Sequence, residues 1–217
     1  MISGILCILL GSFALLVVST PDIDQGSPFA ALTDQVFRRI APATASCDDA
    51  EFPNECADAS RAAVAINKAF ETYGISSLGQ QAGLVAYMLF ESGNFKYNRN
   101  HYPGRPGQGT RMMAMPPLVK LYATSIAGAE AVEMAEAAGG NAGLDAVLGL
   151  ANCNDEKSFG SAAWFLSRQC TASIQTGLAT GGIDGWHNFL TACVNTTIVA
   201  GRDTLWLATT EIMSGAE

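Results

Sequence analysis

Glu91 stands where proton-transfer chemistry is expected. It closes a nearly all-apolar run, 84–90, and opens onto Ser92-Gly93 and a long tract with no acidic residue. Between residues 92 and 129 there are five Lys or Arg (Lys96, Arg99, Arg105, Arg111, Lys120) and no Asp or Glu, although the whole chain carries net charge −8. A carboxyl group at a helix C-terminus lies near the negative end of the helix dipole, and burial beside Phe90 and Met88 acts in the same direction, so both disfavour the ionised form. Such a group is a candidate general acid. The downstream cations oppose that shift, which leaves the net direction open. Capping the helix, or pairing with Arg99 or Arg111, is the competing reading of Glu91.

The elements that must position this group read as helix after helix, with loops marked by Gly and Pro. The segment 55–73 is amphipathic, offers Val64, Ile66, Ala69 and Phe70 to a core, and stops at Gly74. Ser77, followed three residues later by Gln80, resembles a capping box and starts the helix that carries Gln81 through Phe90. That helix has no polar face, so it is expected to be the buried central helix. Residues 98–109 hold three Gly, two Pro, His101 and Tyr102, and predict an ordered loop. Pro116 and Pro117 suit the first turn of a helix running to about residue 138. Further helices are expected at 142–150, 158–178, 183–194 and 203–213. Trp164, Phe165 and Trp206 read as core, and Trp186 as the partly exposed aromatic. No alternating run makes a convincing strand, although a short β-hairpin within 94–110 is open. The fold class is therefore mainly α, a single helical domain.

The N-terminal run 5–18 is apolar, of signal-peptide length, and is followed by Ser19, Thr20 and Pro21. It is too short for a comfortable membrane span, and a single-span anchor is the minor alternative. The chain divides into a signal peptide at 1–19, a polar, loose leader at 20–45 and one domain at 46–217, secreted and with no stable membrane insertion. Cysteine usage agrees with an oxidising compartment. Cys47 and Cys56 enclose a short acidic loop and read as a local disulfide; Cys170 and Cys193 lie on consecutive helical segments that a bridge would clamp. Cys153 is left over as a small buried hydrophobe, although it could displace one of these partners. The cysteines and the two histidines, His101 and His187, lack metal-site spacing, and no metal or organic cofactor is expected. The acidic balance argues against nucleic acid as a partner. Asn195-Thr196-Thr197 is an N-glycosylation sequon.

The ordered combination Phe90-Glu91-Ser92-Gly93-Asn94-Phe95, then Gly109-Thr110-Arg111-Met112-Met113-Ala114-Met115-Pro116, then a helix with Tyr122-Ala123, resembles the lysozyme-like superfamily of goose-type lysozymes and lytic transglycosylases. The string from Tyr97 to Arg111 and the segment Ser158-Phe159-Gly160-Ser161-Ala162-Ala163-Trp164-Phe165-Leu166 are similar to secreted fungal muramidase-like proteins. The resemblance implies a lysozyme-like catalytic domain whose central helix ends in a catalytic Glu followed by Ser. It implies cleavage of the glycan backbone of bacterial peptidoglycan, with Glu91 as general acid; the chain is separately expected to be a monomer. A catalytically silent glycan-binding or interaction protein on the same scaffold, and a hydrolase of another polysaccharide such as chitin, are the alternatives. The chain departs from the pattern at Arg111-Met112-Met113-Ala114, where an amide side chain is expected and none stands.

On that reading Ser92, Tyr97, Arg99, His101, Tyr102, Arg105, Gln108, Thr110 and Arg111 would line a groove. The arginines would engage ligand carboxylates and the aromatics would stack on or hydrogen-bond sugar rings. For Arg105 and Arg111, holding the loop through backbone carbonyls is an equal alternative. A second catalytic carboxylate, if used, would come from Asp155, Glu156 or Asp184, each otherwise an ordinary helix-start acid.

Overall fold

The computed structural model describes residues 31–215. These form ten α-helices. In chain order they are α1 (Asp34–Ile40), α2 (Ala59–Tyr73), α3 (Leu78–Glu91), α4 (Pro116–Ala127), α5 (Ala129–Glu136), α6 (Gly140–Ala151), α7 (Asp155–Gln169), α8 (Ala172–Ala179), α9 (Ile183–Asn188) and α10 (Ala200–Ser214). The mainly α expectation holds. Strand structure among the described residues is confined to two isolated bridges, Arg99 with Gly109 and Gly109 with Ala114, so the open β-hairpin is an irregular loop.

Helix α3 is the centre. Every residue from Gln81 to Leu89 is buried, and α10, α8 and α7 pack around it. Its start is fixed locally, because the Ser77 hydroxyl accepts from the Gln80 amide. Gly79 and Gly83 let the end of α8 approach: a Cβ at either would collide with Leu178, at Gly79 with its carbonyl oxygen. Around this axis α2 packs on α7, and α4 and α5 pack on α6. Helix α2 begins at the Asp58 N-cap and ends at Gly74, which takes the left-handed conformation that a side chain disfavours.

Several local expectations are corrected. Residues 34–40 of the supposed loose leader form α1, capped by Thr33 and held to α2 by paired bonds between the Leu32 backbone and the Asn67 side-chain amide. Seven residues are too few to show a period, and the docking of Phe37 and Ile40 into the core is what makes them helical. The helix expected from 116 to 138 is broken by Gly128 (φ 87°) into α4 and α5. The one expected over 158–178 is broken at Cys170, whose backbone is extended, into α7 and α8. The segment 183–194 is α9 plus a wider turn, Phe189–Val194. Val64 faces solvent, Trp186 is fully buried, and Cys153 is exposed, each the reverse of expectation. Trp186 is covered because its indole lies parallel to Trp206 and its Nε1 donates to Asp203.

Disulfides Cys47–Cys56 and Cys170–Cys193 are formed as expected, and Cys153 is free. The apolar run 5–18 lies outside the described residues. Among the described residues no helix is long and apolar enough to cross a membrane.

Candidate active site

Glu91 is the last residue of α3, and the chain leaves it through a tight left-handed turn. Gly93, Asn94 and Phe95 have φ of 58°, 58° and 66°, a run that costs non-glycine residues conformational energy. Ser92 holds it. Its hydroxyl donates to the Met88 carbonyl at 2.6 Å and accepts from the Phe95 amide at 3.0 Å. The Phe95 ring is buried edge-on between Phe37 and Phe159. Ser92 thus fixes where α3 stops, and so where Glu91 points.

The partner of Glu91 is Arg202, on α10. Its Nε and Nη2 both donate to Oε1, at 3.1 and 2.7 Å, and its guanidinium lies 4.6 Å over the Phe90 ring. The pair is mostly shielded, with side chains 11% and 16% exposed. Among the described residues Oε2 accepts no hydrogen bond. Burial pushes the Glu91 carboxyl above the usual 4.5, against the opposing pull of the Arg202 hydrogen bond and charge. One oxygen is held while the other remains available, and the proton is retained to higher pH than on an ordinary carboxyl.

Glu91 lines a cleft of about 290 Å³ whose opposite parts come from the 97–108 loop. Phe90, Tyr97, Tyr102 and Met113 supply apolar and aromatic surface; Arg99, Asn100, His101 and Gln108 supply polar groups. The loop is tied to the Cys47–Cys56 segment. Glu55 Oε1 bonds His101 Nε2 at 2.9 Å and pairs with Arg99 Nε at 3.5 Å, while Oε2 accepts from the Asn98 amide at 3.2 Å. The His101 imidazole stacks on Phe52, with ring centres 3.6 Å apart and planes 4° from parallel. The Tyr102 hydroxyl donates to Glu51.

Of the residues predicted for this site, Glu91, Tyr97, Arg99, His101, Tyr102 and Gln108 meet at the cleft. The others do not. Ser92 is fully buried in the turn. Thr110 is buried, with its hydroxyl bonded to the Ser158 carbonyl and to Ser161. Arg111 is 1% exposed and donates to the carbonyls of Phe95 (2.9 Å), Tyr97 (3.1 Å) and Glu55 (2.8 Å), with its guanidinium 4.6 Å over Phe159. The scaffolding alternative is therefore the one realised for Arg111. Desolvation pulls its pKa down to about 10. Arg105 is exposed and reaches the Met115 sulfur. Asp155 pairs with Arg61 across α2 and α7; Asp155 and Glu156 line other depressions, and Asp184 opens α9. None of the three acids lines the Glu91 cleft, because the first turns of α7 and α9 are placed elsewhere.

Arg202 and Glu55 were not foreseen. Arg202 lies 111 residues from Glu91 and carries no local signal. Glu55 was legible only as one of several acids in the disulfide loop. Among the described residues no group of three or more His, Cys, Asp and Glu could hold a metal ion.

No family model matches this chain, and no solved structure does. The chain is 38% identical over 149 residues to a bifunctional dioxygenase (DOX)-epoxy alcohol synthase (EAS) of Fusarium oxysporum. The match covers 64% of this chain and 11% of that protein, so the chain spans about a tenth of its relative's length. That similarity overturns the muramidase expectation, together with its glycan-binding and chitin alternatives. The relative is named as an enzyme, and the similarity gives no support to a glycosidase. Ser92, Thr110 and Arg111, which carried the lysozyme-like motif, are all spent on holding the fold.

Proposed function

We propose that this chain is an acid–base enzyme acting on a small oxygenated organic substrate, with the Glu91 carboxyl delivering a proton to a substrate oxygen as a C–O bond opens. The observation that carries this reading is the Glu91 carboxyl itself: desolvated, held through Oε1 by Arg202, and free at Oε2 on the wall of a cleft. A carboxyl that holds its proton to higher pH than an ordinary one is suited to donation. Tyr97, Asn100 and Gln108 add groups able to orient a polar ligand, and Phe90 and Met113 add apolar surface.

The chemistry named for the relative supports an oxirane as the substrate group. An epoxy alcohol contains an oxirane, whose opening by water needs a proton on the ring oxygen. Water forms the new C–O bond and gives up a proton, the ring C–O bond breaks, and the ring oxygen takes the Glu91 proton, giving a vicinal diol in place of the ring; with the hydroxyl already present, an epoxy alcohol becomes a triol. The dioxygenase and synthase steps belong to a protein of which this chain spans 11%, so they are not assigned to it. Two disulfides and the apolar N-terminal run support secretion, and a monomer suffices for the cleft.

The test is conversion of an epoxy alcohol, in ¹⁸O-water, to the triol that carries the new vicinal diol, followed by mass spectrometry, with Glu91→Gln beside the unmodified protein. One ¹⁸O per diol and a loss of about 100-fold or more in E91Q are expected. No diol, or equal diol from both proteins, overturns the reading. Oxygen uptake with an unsaturated fatty acid would move the assignment to the dioxygenase step.

A further inference from the structure

Resting on the acid–base reading of Glu91, we propose that His101 is the general base of the same cleft and that Glu55 is its positioning residue. Two contacts fix the imidazole. The Phe52 ring, stacked in parallel at 3.6 Å, sets its plane, and the 2.9 Å bond from Nε2 to Glu55 Oε1 sets its rotation. A carboxylate accepts only, so the neutral ring carries its proton on Nε2 and leaves the Nδ1 lone pair free. Among the described residues Nδ1 has no hydrogen-bond partner, and it is not one of the buried unpaired atoms. Nδ1 therefore keeps contact with solvent, and His101 lines the same cleft as Glu91.

Glu55 itself is not the base. Its Oε1 serves His101 and Arg99, and its Oε2 accepts from the Asn98 amide. Its own position is fixed from two sides, by the neighbouring Cys47–Cys56 disulfide and by the bond from Arg111 Nη2 to its carbonyl oxygen. The buried Arg111 therefore sets the base through Glu55, and Arg202 holds the acid. In the reaction, His101 Nδ1 takes a proton from water as the oxygen bonds to the oxirane carbon, and Glu91 protonates the departing ring oxygen. Both groups then exchange protons with solvent, and the sum is oxirane plus water to diol.

Long-range proton–nitrogen correlation spectra of the ¹⁵N-labelled chain, at a pH where the imidazole is neutral, read the tautomer directly. The Nε2–H form is expected for His101, with a mixture in Glu55→Gln and no change in Glu91→Gln. His101→Phe keeps the ring stack on Phe52 and removes the base. Its kcat for diol formation should fall about 100-fold with KM changed less than about threefold. A clasp holding the loop would instead show in KM and melting temperature. An Nδ1–H tautomer, or full kcat in His101→Phe while Glu91→Gln is inactive, overturns the base assignment alone. Absence of turnover in the unmodified protein, with the tautomer as expected, overturns the acid–base reading and this inference with it.

Discussion

Arg202 places two donors on a single oxygen of Glu91, Nε at 3.1 Å and Nη2 at 2.7 Å, across 111 residues of sequence. The geometry is one-sided. A guanidinium facing a carboxylate squarely would engage both oxygens; here Oε2 has no hydrogen-bond partner among the described residues. Burial wins over the cation, and the carboxyl sits above 4.5.

That balance sets the pH dependence of stability. A group whose folded pKa is raised contributes stability that is fully present below its unfolded pKa and is lost as pH rises through the folded one. Glu91→Gln does not titrate. The melting temperature of the unmodified protein relative to Glu91→Gln should therefore fall as pH rises from about 4.5. A difference that rises with pH would show that Arg202 outweighs desolvation, and a flat one that the two cancel.

Arg202→Met should leave a desolvated carboxylate without its partner. The expected cost is about 3 kcal/mol at pH 7, shrinking at pH 4 as protonation of Glu91 removes the need for a cation. Urea unfolding midpoints at the two pH values measure this. Arg202→Lys should recover part of the loss, because Lys restores the charge and not the paired donors.

Arg111→Met should destabilise more than any other arginine substitution. It orphans the carbonyls of Phe95, Tyr97 and Glu55. At least about 3 kcal/mol is expected, offset only in part by relief of a buried charge. Arg111→Lys, a point charge without the planar fork, should not rescue it. Chemical denaturation reads both, and the His101 ring signals should broaden or move in either variant because Glu55 loses a support.

Two glycine substitutions should act in opposite directions. Gly149 is exposed within α6, and a Cβ there meets nothing, so Gly149→Ala should stabilise by about 0.5–1 kcal/mol. In α3, a Cβ at Gly79 collides with the backbone of Leu178 and Gly181, and Gly79→Ala should cost more than about 2 kcal/mol by pushing α8 off the central helix. Thermal melts of the two variants check the sign of each.

The end of α2 and the start, end and burial of α3 could be read from the chain because their causes are local, whereas α2 starts at Ala59 behind the Asp58 cap and not at residue 55, and only the structure decides that Cys153 is the free cysteine. A serine hydroxyl caps the third amide ahead of it, a glycine accepts a left-handed conformation, and a helix without a polar face must be covered. Glu91 was located for the same reason, as the end of such a helix. The rest was decided by packing. Arg202 meets Glu91 only because α10 lies along α3, with Gly201 against the Phe90 ring. Arg111 turns inward, away from any ligand, because the turn after α3 and the disulfide loop together present three carbonyls to it. Glu55 becomes the companion of His101 because the loop carrying His101 folds back onto the loop between Cys47 and Cys56. Helix ends obey the few residues around them, whereas the partner of a charge depends on which distant elements share its low-dielectric surroundings, and in this protein only the tertiary structure determines that.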